Sequence, residues 1–200
     1  MKLPAMICLL LLALSGNARA VQNILVFGDS LSAGYGIART DSWVNHLQSE
    51  LAETHPQFAV VNASLSGETT AGGLRRIDQA LRRHRPAIVI LELGANDGLR
   101  GTPLSATEHN LGQIIERIQR ARAKILLLGM RLPPNYGPDY TRQFAALYPA
   151  LAKKYRIERL PFMLDGIAPE QFQTDNLHPD ASAQPRIMQN ILHALLPLLK

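Results

Sequence analysis

Short apolar runs recur along this chain at regular intervals, and stretches with helical hydrophobic spacing separate them. Ile24 to Phe27, Val60-Val61, Ile88 to Leu93 and Ile125 to Leu128 read as strands buried on both faces, because a strand with one wet face would alternate apolar with polar residues. A weaker run near Arg159-Leu160 offers a fifth strand. Between them, Val44, Leu47 and Leu51 share one helical stripe, as do Leu74, Ile77 and Leu81, and then Leu111, Ile114, Ile115 and Ile118. Phe144, Leu147, Tyr148 and Leu151 make a fourth stripe, in which Pro149 should kink or break the helix. Met188, Ile191, Leu192 and Leu195 make the last. This alternation predicts an α/β protein of three layers, α/β/α, built on a parallel sheet of about five strands.

Met1 to Ala20 stands outside that pattern. Lys2, the apolar stretch Ala5 to Leu14 and the small-residue site Ala18-Arg19-Ala20 read as a secretory signal peptide cut after Ala20. The stretch is too short to span a bilayer, which takes roughly 20 apolar residues. A lipoprotein anchor is disfavoured because Cys8 lies inside the apolar run rather than after it. Residues 21–200 are then expected to form a single domain. A chain of that size would bury roughly 70% of its unfolded surface, enough to stand without cross-links.

Removing the segment takes away Lys2 and Arg19 and no acid, so the net charge falls from +5 to +3. So mild an excess selects no particular partner. Cys8 is the only cysteine, which excludes disulfides, thiolate clusters and a cysteine nucleophile from the mature chain. A content of 46% hydrophobic and 18% charged residues places it among globular proteins, neither disordered nor membrane-embedded.

In an open α/β sheet the ligand sits beyond the carboxyl ends of the strands. Gly28-Asp29-Ser30 follows the first strand, Asn62 to Gly67 the second, Gly94 to Gly98 the third and Gly129 to Pro133 the fourth. Any one of these is an ordinary turn by composition. Ser30 directly after an apolar strand is either a helix cap or a nucleophile. Asp175 and His178, three residues apart, either cap a turn or pair a carboxylate with an imidazole, fixing the tautomer that leaves the other ring nitrogen free as a base. Gly67 and Asn96 fall on the same sheet edge, where a backbone N–H and a side-chain amide can hold an oxyanion.

Taken in order, Gly28-Asp29-Ser30-Leu31, Gly67 after Asn62-Ala63-Ser64, Gly94-Ala95-Asn96-Asp97 and Asp175-Asn176-Leu177-His178 resemble the four blocks of the SGNH (GDSL) hydrolases. The resemblance spans essentially the whole mature chain. Asn96-Asp97-Gly98-Leu99-Arg100-Gly101, Arg131 to Gly137 and Pro161-Phe162 make it most similar to the periplasmic multifunctional thioesterase, protease and lysophospholipase branch and its arylesterase relatives. Ala95 departs from it where many relatives have glycine. The resemblance implies a flavodoxin-like sheet, with Ser30 as nucleophile, His178 as base and Asp175 as its support. It also implies an oxyanion hole made of the N–H groups of Ser30 and Gly67 and the Asn96 amide, with Asp29 shaping the turn behind the nucleophile. No Gly-x-Ser-x-Gly elbow occurs, so the common α/β-hydrolase layout is disfavoured.

Other signals are weaker. Arg82-Arg83-His84-Arg85, with Arg75 and Arg76 upstream, reads as a solvated helix face without interleaved aromatics, so no nucleic-acid partner is expected. Gly34-Tyr35-Gly36 lacks the third glycine of a dinucleotide site. No residue grouping has metal-ligand spacing, so neither metal nor other cofactor is expected. His46, His55, His84, His109 and His193 read as surface or helix positions.

The expected activity is hydrolysis of acyl esters and thioesters, lysophospholipids among them, by a monomer in the periplasm or outside the cell. Leu99, Met130, Leu132 and Pro133 are expected to line an apolar acyl pocket. Glycines at both ends of Gly98 to Gly101 suggest a loop able to close over the chain, against a stiffer wall from Met130 to Pro134. Two other functions fit the same sheet: a carbohydrate O-acetyl esterase using the same groups, and a non-catalytic flavodoxin-like binding protein.

Overall fold

The computed structural model describes residues 21–200, so the expected signal peptide lies outside the described residues. Five parallel strands form one sheet: β1 (Gln22–Gly28), β2 (Phe58–Asn62), β3 (Ile88–Glu92), β4 (Lys124–Leu128) and β5 (Glu158–Leu160). Their order is β2-β1-β3-β4-β5. The helices are α1 (Ser30–Ala33), α2 (Trp43–Thr54), α3 (Thr70–His84), α4 (Ala95–Leu99), α5 (Leu104–Arg120), α6 (Pro138–Tyr155) and α7 (Gln184–Leu195). Helices α2 and α7 pack together in one layer, while α3, α5 and α6 pack in series in the other. Three layers and a sheet of five parallel strands agree with the expected α/β/α class.

The apolar runs explain the centre of this sheet. Ile24 to Phe27 in β1, Val89 to Leu91 in β3 and Leu126 to Leu128 in β4 are fully buried, each between two helical layers. Burying one such side chain contributes roughly 1.5–3 kcal/mol. The edge strand β2 differs from expectation: Val60 and Val61 are only half-buried. An edge strand has a neighbour on one side alone, so its outer flank stays open to water. The strand β3 stops at Glu92, leaving Leu93 buried in the turn beyond it.

Pro149 neither breaks nor ends α6, which runs through it to Tyr155. Its ring sits on the exposed face, while Phe144, Tyr148 and Leu151 pack inward on either side of it. The lost backbone hydrogen bond therefore falls where water can replace it. Arg76 also departs from the solvated face expected of it. It pairs with Glu68, donates to the Ala63 carbonyl at 2.7 Å and lies 3.9 Å over the Phe27 ring.

The strand order reverses between β1 and β3, whose carboxyl ends lie side by side in register. Such a switch point is where open α/β sheets form a crevice.

Candidate active site

Strand β1 ends at Gly28, and the chain turns at once into the single helical turn α1, headed by Ser30. Asp29, not Ser30, caps that turn: its Oδ1 accepts the Leu31 N–H at 3.0 Å. Ser30 is thereby free for another role. Gly28 is required by proximity, since a Cβ there would sit 2.5 Å from Glu92 Oε2 and 2.9 Å from the Glu92 carbonyl.

The imidazole arrives from the far end of the chain. His178 Nε2 lies 2.8 Å from Ser30 Oγ, and His178 Nδ1 lies 2.6 Å from Asp175 Oδ2. The three-residue spacing works because Asp175 folds its own turn. Its Oδ1 accepts the N–H of Leu177 at 2.9 Å and of His178 at 3.0 Å, with Asn176 in the left-handed region at φ 54°. The His178 carbonyl in turn accepts the Gln173 N–H at 2.8 Å. Gln173 Nε2 donates to the Tyr35 carbonyl at 2.8 Å, tying this loop to the chain just beyond α1. The Tyr35 ring flanks the imidazole, with centroids 4.7 Å apart. Desolvation pushes the Asp175 carboxyl upward, but the hydrogen bonds from His178 and Leu177 outweigh it and hold the group at about 2.

Two further loops complete the edge. Beyond β2, Ala63 and Leu65 donate backbone hydrogen bonds to the carbonyls of Val26 and Gly28, so this loop follows β1 up to the Ser30 turn. Gly67 stands in that loop at φ +77°, a backbone state that suits glycine. Among the described residues, neither the Ser30 N–H nor the Gly67 N–H has a hydrogen-bond partner. Asn96, in α4 just past β3, donates from Nδ2 to Asp29 Oδ2 at 3.1 Å. One amide hydrogen is spent on that anchor, and the other remains for a ligand. Asp97 locks α4 to α3 through the Thr70 hydroxyl at 2.6 Å and the Thr70 N–H at 2.8 Å.

Ser30, Gly67, Asn96 and His178 all face one cavity of about 490 Å³, and Asp175 stands behind the imidazole. Leu99, Met130, Leu132 and Pro133 line the same cavity. Tyr35, Phe162, Leu164 and Leu177 also line it; Phe162 and Leu177 stand in stretches that carry the resemblance, but nothing in the sequence marks any of the four as a pocket wall. The expected loop hinge is only half present. Gly101 is open at φ +68°, but Gly98 is buried inside α4, where a Cβ would meet Leu132 at 2.7 Å and Phe144 at 2.8 Å. Gly98 is small to let α4 pack, not to let the loop swing. The hydroxyls of Tyr136 and Tyr140 further tether the segment through the carbonyls of Leu99 and Gly98, each at 3.2 Å.

One residue of the site escapes sequence reasoning altogether. Glu92, at the end of β3, is fully buried. Its Oε2 accepts the Asp29 N–H at 3.0 Å and the Ser32 hydroxyl at 2.7 Å. Burial, with the neighbouring Asp29 charge, pushes the Glu92 carboxyl well above the usual range. Burial also raises Asp29, to about 6, against the opposing hydrogen bonds from Leu31, Glu92 and Asn96. The clue in the sequence is a lone acid within Ile88 to Leu93, directly across from Gly28.

Among the described residues no three His, Cys, Asp or Glu side chains gather as a metal site requires. Nor is any helix among them long and apolar enough to cross a membrane. The chain matches the model of the GDSL-like lipase/acylhydrolase family over residues 26–184. It is 44% identical to Esterase TesA of Pseudomonas aeruginosa, with 96% of each chain covered. It is 40% identical to Thioesterase 1/protease 1/lysophospholipase L1 of Escherichia coli K12, covering 96% of this chain and 91% of that one. A crystal structure of TesA superposes with a TM-score of 0.86 at 43% identity, over 88% of this chain and 99% of that chain.

Proposed function

The chain belongs to the GDSL-like lipase/acylhydrolase family, and from that premise we propose that its hydrolysis of acyl esters and thioesters runs through Ser30, His178 and Asp175. The single observation that carries this assignment is the continuous line Asp175 Oδ2, His178 Nδ1, His178 Nε2, Ser30 Oγ, with gaps of 2.6 and 2.8 Å. Ser30 Oγ–H donates to His178 Nε2, and attack of the oxygen on the acyl carbonyl passes that proton to the ring. Asp175 holds His178 in the tautomer with its proton on Nδ1 and stabilises the imidazolium that forms.

The carbonyl oxygen becomes an anion facing the N–H groups of Ser30 and Gly67 and the spare amide hydrogen of Asn96. Removing one such donor typically costs 10²–10³-fold in rate. Collapse of the intermediate expels the alcohol or thiol, which takes the proton from His178 and leaves the acyl group on Ser30. Water then enters, His178 removes its proton, and the acid departs.

The apolar walls of the cavity favour an acyl chain of several carbons over acetate on a sugar, and a lysophospholipid belongs to that class of ester. The site therefore favours lipid-like esters over carbohydrate O-acetyl groups. We also propose that the working protein lies outside the cytoplasm, in the periplasm or beyond the cell, after removal of residues 1–20. N-terminal sequencing of protein from its host should begin at Val21, and a retained Lys2 would overturn that placement.

The mechanism is tested by labelling with a fluorophosphonate and mapping the modified peptide. Label on Ser30 is expected, and label on any other residue would overturn the assignment.

A further inference from the structure

Glu92 lies behind the Ser30 turn and takes no part in the steps above. It is 0% exposed in a strand whose other members are Ile88, Val89, Ile90 and Leu91. Its Oε2 accepts two hydrogen bonds, while its buried Oε1 has no partner among the described residues. No cation pairs with it there. A carboxylate enclosed in this way, with one bare oxygen, is an unfavourable species, and a neutral acid is not. The Asp29 carboxyl, itself 1% exposed, belongs to the residue whose N–H Glu92 holds, so the two acids are buried neighbours.

We propose that Glu92 is a positioning residue that works as a neutral acid, donating its proton to the Asp29 carboxylate and so fixing the Asn96 amide and the Ser30 turn. Three facts of geometry support it. Glu92 Oε2 holds the Asp29 N–H from below, Asp29 Oδ1 holds the Leu31 N–H and Asp29 Oδ2 holds Asn96 Nδ2. With the proton present, the pair carries one charge, and the N–H groups of Asp29 and Leu31, the Ser32 hydroxyl and the Asn96 amide donate to it. Without it, two buried anions repel across the backbone that carries the nucleophile and strain the contacts that Asp29 makes to Leu31 and Asn96.

Other groups face the pair from neighbouring elements. They are the Tyr148 hydroxyl from α6, bonded to the Leu93 carbonyl at 3.0 Å, His178 from the closing loop and Arg76 from α3, which reaches the Gly28 carbonyl at 3.5 Å, while Asp97 from α4 lies nearer Tyr148 and is bonded to Thr70. None of them accepts a hydrogen bond from Glu92. Burial and the Asp29 charge together favour the protonated form, in agreement with the geometry.

The proposal rests on the reading of Ser30 as nucleophile and Asn96 as oxyanion donor, and the test separates the two. Glu92→Gln keeps an acceptor for the Asp29 N–H and a donor for its carboxylate, so kcat on p-nitrophenyl butyrate should stay within about threefold of the parent. Glu92→Leu fills the space without either group. Its kcat should fall by roughly tenfold or more with KM little changed, part of the loss of one oxyanion donor. Both variants should still take fluorophosphonate at Ser30; failure of that labelling in the parent sinks the nucleophile reading instead. Should Glu92→Leu fail to fold, difference infrared spectra of parent against Glu92→Gln at neutral pH decide the matter. A carbonyl band of a protonated carboxylic acid, lost in the Gln variant, is expected. Absence of that band, full kcat in Glu92→Leu, or a Gln variant as impaired as a folded Leu variant would overturn the proposal.

Discussion

Arg100 donates from Nη2 to the Gly67 carbonyl at 3.1 Å, joining the segment after α4 to the loop that presents the Gly67 N–H. The bond fixes the peptide that follows Gly67, next to the one carrying the proposed oxyanion donor, although it is exposed. A surface hydrogen bond contributes only about 0.5–1.5 kcal/mol to stability, so its effect should appear in rate before stability. Arg100→Ala should lower kcat by about two- to fivefold, a fraction of one donor's worth. Its melting temperature should hardly move. Steady-state kinetics beside a thermal melt will show whether the two separate; an unchanged kcat would count against the coupling.

Ser30 and His178 should behave as one unit. Each single alanine substitution should remove nearly all turnover, and the double substitution should be little worse, because catalytic groups that act together are strongly non-additive. Multiplying losses in the double variant would mean the two groups act independently.

Asn96→Ala should lose about 10²–10³-fold in kcat. Part of that loss comes through Asp29, whose Oδ2 accepts from the same amide. Asn96→Asp should be at least as impaired, since a carboxylate there would face both Asp29 and the oxyanion. Parallel kinetics of the two variants, with circular dichroism to confirm folding, provide the check.

Leu132 touches the cavity and packs against the site of Gly98. Leu132→Ala should lower kcat/KM for octanoyl esters several-fold while sparing acetate, each methylene burying up to ~0.8 kcal/mol. Equal losses across chain lengths would mark Leu132 as a support for α4 rather than a wall for the acyl chain.

The buried acids set a pH dependence of stability with a defined sign. Glu92 keeps its proton in the folded state well above its ordinary value of 4.5, and Asp29 is raised from 3.8 to about 6. The folded chain therefore binds more protons than the unfolded one over that range, so stability falls as pH rises through it. Asp175 works in the opposite sense but only at lower pH, where its carboxyl is held at about 2 against 3.8 unfolded. Glu92→Gln removes the uptake at Glu92. Its melting temperature should gain on the parent progressively as pH rises above the ordinary Glu92 value of 4.5. Parallel melting curves across that range would contradict the sign.

Much of this was legible before any coordinates, and for a physical reason. Central strands in a parallel sheet are apolar along their whole length, so β1, β3 and β4 announce themselves, and their carboxyl ends locate the loops that matter. Ser30, Gly67, Asn96, Asp175 and His178 carry chemistry that the loops themselves do not need, and the fold gathers them at one edge of the sheet. What stayed hidden depends on neighbours distant in sequence. Glu92 is concealed among apolar residues, and only Gly28 packed against it gives it a meaning. Arg76 looks like one more surface arginine until Phe27 and Ala63 are brought beneath it. The glycine at 98 suggested a hinge because glycine serves both motion and close packing, and only the distance to Leu132 tells them apart.

Ser30 leaves the central strand near the start of the chain, and the imidazole 2.8 Å from it stands 148 residues later. A polypeptide stopped short of residue 178 therefore lacks the imidazole proposed as the base, however complete its loops at the other strands. On that assignment hydrolysis begins only when the closing loop docks, and turnover reports that two distant stretches of chain have come together.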